Sequence, residues 1–305
     1  MTFATYTERS LAHVLTPAVM ADEIMASRWL ESLVRGTPQP LMLKSNTTEQ
    51  YGYFVVGSSQ RIVAIAEHGG LDLPIGMAAS TTIVRRVIQA SRVTLGDNRL
   101  TFDGYQISIA KYRDDRPIFS ISPKQAAVAA LVMEDALNVA GHPFEPAVVN
   151  REVEVFGRAL RGVSDVSVAD AAGRLIGLGS GSTPSGDDVV SGAAATLAAC
   201  TRANDPISVW ARSVLAEICR TTVEAAKATT PLSAELLACA VQGYMLPRLI
   251  HCIRCAVNNK HIDEAMSELR LVGHSSGYFL ASGAALALRA AATITNQENY
   301  HVKPY

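Results

Sequence analysis

A chain of 305 residues with a formal net charge of −1 and no basic block lacks the electrostatic footprint of a nucleic-acid binder. Hydrophobic residues make up 49% and aromatics only 6%, so the core is aliphatic and alanine-rich, a composition that favours helices. The longest apolar run, Tyr278 to Ile294, is interrupted by Arg289 and is too short for a membrane span. Met1 to Leu11 lacks the charged-then-apolar order of a signal peptide. With no export signal, five cysteines (an odd count) point to reduced thiols and a cytoplasmic protein.

In chain order, Pro17 to Arg35 reads as an amphipathic helix, with Val19, Ile24, Trp29, Leu30 and Leu33 among its apolar positions. Leu41 to Leu43, Tyr51 to Val56 and Arg61 to Ala66 read as strands, with a turn at Gly57-Ser58-Ser59. Gly69-Gly70, Pro74 and Gly76 mark a loop, and Ser80 to Ala90 a short helix. Val93-Thr94-Leu95 and Leu100-Thr101-Phe102 flank Gly96-Asp97-Asn98 as a hairpin, followed by a strand over Tyr105 to Ala110. From Pro123 the signals turn helical: Lys124 to Ala140, Glu145 to Leu160, Val166 to Ile176, Ile207 to Ala228, Ala234 to Tyr244, Met245 to Val257, Ile262 to Val272 and Ser276 to Ile294. The expected class is α+β, with a small, mainly antiparallel β domain over residues 1–120 and a larger alanine-rich helical domain over 121–295. A polar tail over 296–305 closes the chain.

The helical part is organised around Gly177-Leu178-Gly179-Ser180-Gly181-Ser182-Thr183-Pro184-Ser185-Gly186-Asp187-Asp188, followed by Val189-Val190-Ser191-Gly192. Thr183-Pro184 is a helix-start signal. The stretch therefore reads as a glycine-rich loop feeding a buried helix, whose free N–H groups and dipole suit an anion. Ser185 and Asp188 also have the spacing of a capping box, which would use those donors up within the helix. No lysine follows as in a P-loop, and no β-branched strand precedes it as in a dinucleotide fold.

The pattern recurs: Ser185-Gly186 and Ser191-Gly192-Ala193-Ala194 have counterparts at the same spacing in Ser276-Gly277 and Ser282-Gly283-Ala284-Ala285. Two helices with such small faces can approach closely, their starts facing one ligand. Thr229-Thr230-Pro231-Leu232-Ser233 is a third hydroxyl-rich helix start. The candidate chemical groups are Asp187, Asp188 and His274. One aspartate caps while the other faces a ligand, or holds Mg²⁺ with substrate oxygens; His274 offers an acid/base or anion partner. Cys252-x-x-Cys255 beside His251 has the look of half a zinc site, but no second pair exists and buried helical cysteines are the simpler reading.

The Gly177 to Asp188 run closely resembles the signature of the AllH family, which includes a subunit of the bacterial oxamate carbamoyltransferase complex of allantoin degradation. Gly192, the Thr229 to Ser233 segment and Gly273 to Gly277 are similar to further elements of that family, and the β-then-helical order agrees. Two positions depart from it: Ser182 stands where an apolar residue is more usual, and Tyr278 where an aspartate commonly follows Ser-Gly. The resemblance implies carbamoyl transfer, in which an oxalurate-type ureide and phosphate give carbamoyl phosphate and oxamate within a multi-subunit assembly. On this view Gly179, Gly181, Ser182, Thr183, Ser185 and Gly186 bind a small anionic substrate with Thr229, Thr230, Ser233, Ser275, Ser276 and Gly277. Asp187 or Asp188 orients a ureido N–H. The competing expectation is a non-catalytic scaffold or regulatory subunit that binds a small anion or nucleotide, alone as a homo-oligomer or with partner subunits.

Overall fold

The computed structural model describes residues 18–19, 23–59, 61–70, 72–117, 119–141, 143, 145–202 and 205–294. The readings made of Met1 to Leu11 and of the tail Asn296 to Tyr305 lie outside them. The fold is α+β. Ten strands, β1 (Ala18–Val19), β2 (Met25–Ser27), β3 (Gln39–Thr48), β4 (Tyr51–Val56), β5 (Arg61–Glu67), β6 (Gly76–Ala79), β7 (Val93–Gly96), β8 (Arg99–Phe102), β9 (Tyr105–Ser108) and β10 (Lys111–Arg113), form one sheet. Their order is β1-β9-β8-β7-β3-β4-β5-β6-β2-β10.

That order forces the sheet to curl. β9 and β10 lie eight neighbour spacings apart, about 38 Å if the sheet were flat. Yet only Ile109 and Ala110 connect them, a reach of about 11 Å. The inside of the curl is filled by Ile24, Phe54, Ile65, Met77, Leu95 and Phe102 among others, with α2 (Thr81–Gln89) packed on it. β5 is buried on both faces because its alternating residues serve two cores. Val63 and Ile65 point into the curl, while Ile62 and Ala64 join the helical core.

The sheet is mainly antiparallel, as expected, with parallel pairings at β1–β9, β2–β10 and β5–β6. It departs from expectation in two ways. The helix expected over Pro17 to Arg35 is not formed. Its described residues make β1, β2, a 3-10 turn (Arg28–Leu30) and the five-residue α1 (Glu31–Arg35). Pairing of Met25–Ser27 with β6 and β10 overrides the helical spacing of Ile24 and Leu30, both of which fill the curl. Finally, the loop expected around Gly76 contains β6, whose four residues are all buried and so lack an alternating signature.

The helices are α3 (Pro123–Ala140), α4 (Ala147–Leu160), α5 (Val168–Leu175), α6 (Ser185–Cys200), α7 (Pro206–Glu224), α8 (Pro231–Val241), α9 (Pro247–Asn258), α10 (Ile262–Leu269) and α11 (Ser276–Thr293). Their starts follow local chemistry. Ser122 and Gln125 form a capping box ahead of Pro123, and Asp205 and Ser208 do the same ahead of Pro206. α6 is buried on every side except at Ala198, which makes it the axis of the bundle.

α11 crosses α6 on its small residues. A Cβ placed on Gly192 would lie 2.0 Å from the Leu280 carbonyl oxygen, and one on Gly283 would lie 2.0 Å from that of Val189. The two contacts are reciprocal, each glycine meeting the residue three before its counterpart. Gly186 and Gly277 likewise press on carbonyls of the preceding helices, at Leu175 and Leu269. The sequence repeat is thus a structural repeat, helix–loop–helix packed against helix–loop–helix.

Candidate functional site

Three helix starts meet beside the sheet. Thr183 Oγ1 and Ser276 Oγ are 2.9 Å apart, linking the glycine loop to the start of α11. Thr230 donates to the Ser182 carbonyl at 2.5 Å, linking the loop to the start of α8, and also caps α8 by accepting from Ser233 N at 3.1 Å. Asp187 ties the knot from within. Its carboxylate accepts from Gly177 N at 2.7 Å, from Ser233 Oγ at 2.6 Å and from Thr229 Oγ1.

The helix-start donors are largely consumed inside the protein. Gly186 N donates to the Leu178 carbonyl, and Asp187 N and Asp188 N donate to that of Pro184. Gly277 N donates to Val272, and Tyr278 N and Phe279 N to Ser275. Gly179 has φ +119° and abuts Ser185 N: a Cβ there would lie 2.7 Å from that nitrogen. The loop is therefore folded onto the start of its own helix at Gly179. The capping box expected of Ser185 and Asp188 is not made either. Pro184 is the N-cap, Ser185 Oγ donates to Glu145 Oε1 at 2.5 Å, and Ser185 is itself the first helical residue.

Asp188 is the exception among these satisfied groups. It is 6% exposed, and its Oδ2 has no hydrogen-bond partner among the described residues. Burial pushes its carboxyl well above the usual carboxylate range, and the nearby charges of Asp187 and Glu145 push the same way against the Ser276 hydroxyl.

Asp188 lines a cavity of about 400 Å³ between sheet and helices, within the size range of small-molecule sites. Ser182, Thr183, Ser191, Thr230 and Ser276 share its wall with Asp188. The sheet contributes Lys44, Ser45, Tyr51 and Tyr53. Burial raises the Tyr53 hydroxyl to about 12, so it stays a neutral donor. The exposed Lys44 is the one cation among the residues that line the cavity. Leu232, Leu236, Met245, Leu246, Leu249 and Leu280 form an apolar floor.

Of the residues singled out from sequence, Asp188, Ser182, Thr183, Thr230 and Ser276 face this cavity. Gly179, Gly181, Ser185, Gly186, Thr229, Ser233, Ser275 and Gly277 do not line it, and neither does Asp187. His274 is exposed and also off the cavity wall. Lys44, Tyr51 and Tyr53 were missed because nothing local links a lysine in β3 to a loop far along the chain. Elsewhere, His251 Nε2 lies 3.7 Å from Cys255 Sγ on α9, and the five cysteines are all free. Among the described residues no three His, Cys, Asp or Glu side chains group as metal ligands. No described helix is long and apolar enough to cross a membrane.

The chain is an α+β protein in which a curled mixed sheet leans on an alanine-rich bundle with a duplicated glycine-start helix pair. Residues 175–288 match the family model described as oxamate carbamoyltransferase subunit AllH. The match covers all three motifs that carry the resemblance, and α6, α8 and α11, whose starts converge, lie in it almost entirely. Nothing matches the chain among the curated proteins or the solved structures.

Proposed function

We propose that this chain is a subunit of a carbamoyl-transferring enzyme and that its cavity holds the ureide partner of the reaction against Asp188. The observation that carries the reading is Asp188, a buried acid on the cavity wall whose Oδ2 has no hydrogen-bond partner among the described residues. A carbamoyl group offers an N–H donor and a carbonyl acceptor side by side. A protonated carboxyl offers the complementary acceptor and donor, and its raised affinity for the proton favours that form. Phosphate suits this site less at neutral pH, because it brings negative charge beside Asp187 and Glu145. Thr183, Ser276 and the neutral Tyr53 hydroxyl supply further polar contacts around the same space.

The family description names a subunit, which supports a role beside partner subunits. A second reading, a regulatory subunit that binds the ureide without turning it over, is favoured by the single lysine at a cavity meant to serve a phosphate-dependent reaction. Carbamoyl phosphate formation from oxalurate and phosphate separates the two. The catalytic reading expects turnover with the partner subunits present and loss of about two orders of magnitude or more in kcat/KM for Asp188→Ala. Turnover unchanged in the variant while oxalurate binding is lost favours the regulatory reading. Unchanged turnover and unchanged binding overturn both.

A further inference from the structure

The floor of the cavity has a chemistry that oxalurate and oxamate do not use. Leu232 and Leu236 of α8, Met245, Leu246 and Leu249 around the start of α9, and Leu280 of α11 line one space with Asp188 and Lys44. The cavity has the volume of about a dozen water molecules, and a small polar acid would leave much of this apolar wall against water. A cavity that removes an aliphatic group from water gains affinity for it, whereas a site shaped for a small dicarbonyl acid gains nothing from six apolar side chains.

Resting on the ureide reading above, we infer that the ligand of this cavity is a ureido acid bearing an apolar substituent, an N-carbamoyl amino acid with an aliphatic or aromatic side chain being the simplest member. Each part of such a molecule meets a matching group. The terminal carbamoyl pairs with the Asp188 carboxyl, whose Oδ2 has no partner among the described residues, the carboxylate meets Lys44, and the side chain lies on the leucine floor. A free amino acid has the carboxylate and side chain but no carbamoyl for Asp188. N-Carbamoylglycine has both polar ends and nothing for the floor.

Isothermal titration of the full chain with N-carbamoylleucine, N-carbamoylglycine and leucine tests this. N-Carbamoylleucine binds about tenfold or more tightly than N-carbamoylglycine, the effect of burying one aliphatic side chain, and leucine binds more weakly than either. Leu236→Asn, at a half-buried position, brings the two ureides to within about threefold by weakening N-carbamoylleucine. Equal affinity for the two ureides in the wild type, with both lost in Asp188→Ala, overturns the apolar-substituent inference and leaves the ureide site standing. Leucine binding as tightly as its carbamoyl derivative overturns the inference as well. Absence of binding by either ureide to the folded chain removes the ureide reading and this inference together.

Discussion

Asp187 and Asp188 are adjacent in the chain and opposite in circumstance. Asp187 accepts hydrogen bonds from Gly177, Thr229 and Ser233, while Asp188 lines a cavity and has one oxygen with no partner among the described residues. One turn of α6 thus divides two identical side chains between holding the fold together and lining a cavity.

Their substitutions should diverge accordingly. Asp187→Ala leaves the Gly177 N–H and the Thr229 and Ser233 hydroxyls without their acceptor, and each such loss costs about 1–3 kcal/mol. Urea denaturation should show a loss of several kcal/mol. Asp188→Asn, by contrast, removes an acid that burial already disfavours in its charged form and should not destabilise at neutral pH.

The pH dependence follows from the sign of the Asp188 shift. Its folded-state affinity for the proton is raised, so the folded chain holds a proton that the unfolded chain releases near pH 4. Stability attributable to this group is therefore greatest below the unfolded value, falls as pH rises through the window between the two, and levels off above the folded value. Melting curves should show Asp188→Asn more stable than wild type at pH 7, by about 2–4 °C for each kcal/mol of relieved burial. The difference should close toward pH 4. A constant difference at all pH values contradicts the assignment.

The crossing of α6 and α11 makes a prediction about packing. Gly192→Ala and Gly283→Ala each place a methyl 2.0 Å from a backbone carbonyl oxygen, so the helices must separate. The cost is about 3 kcal/mol or more, at the upper end of overpacking. Gly181→Ala meets no neighbour within 4 Å and suffers only from its positive φ of +92°, a penalty of about 1 kcal/mol. Parallel denaturation of the three variants checks the ranking.

Much of this was legible beforehand because the determinants are local. The cap before Pro231, the hairpin at Asp97-Asn98 and the Ser-Gly repeat each write their outcome into a few adjacent residues. What was not legible depends on partners distant in sequence. β2 forms because β6 and β10 flank it, and the glycine loop closes on itself because Asp187 reaches back to Gly177 and across to Ser233. The cavity wall has the same character: Asp188 was visible as a helix-start acid, but Lys44 and Tyr53 reach it only through the docking of the sheet.

That docking has its own test. Glu235 Oε1 on α8 accepts from Trp29 Nε1 at 3.0 Å and from Arg61 Nη2 at 3.0 Å, joining the curled sheet to the bundle. Glu235→Ala orphans both donors and should lower stability by about 1–3 kcal/mol. It should also alter the fluorescence of Trp29, which a Trp210→Phe background isolates, since the chain has two tryptophans.

The most direct test of the central claim is calorimetric titration of oxalurate into the wild-type chain and into Asp188→Ala, with inorganic phosphate titrated separately. The account predicts that oxalurate binds the wild type, that the variant folds but loses at least about tenfold in affinity, and that phosphate alone binds neither. Phosphate binding that survives in Asp188→Ala, with oxalurate binding absent from both, would contradict it and return the site to the glycine loop.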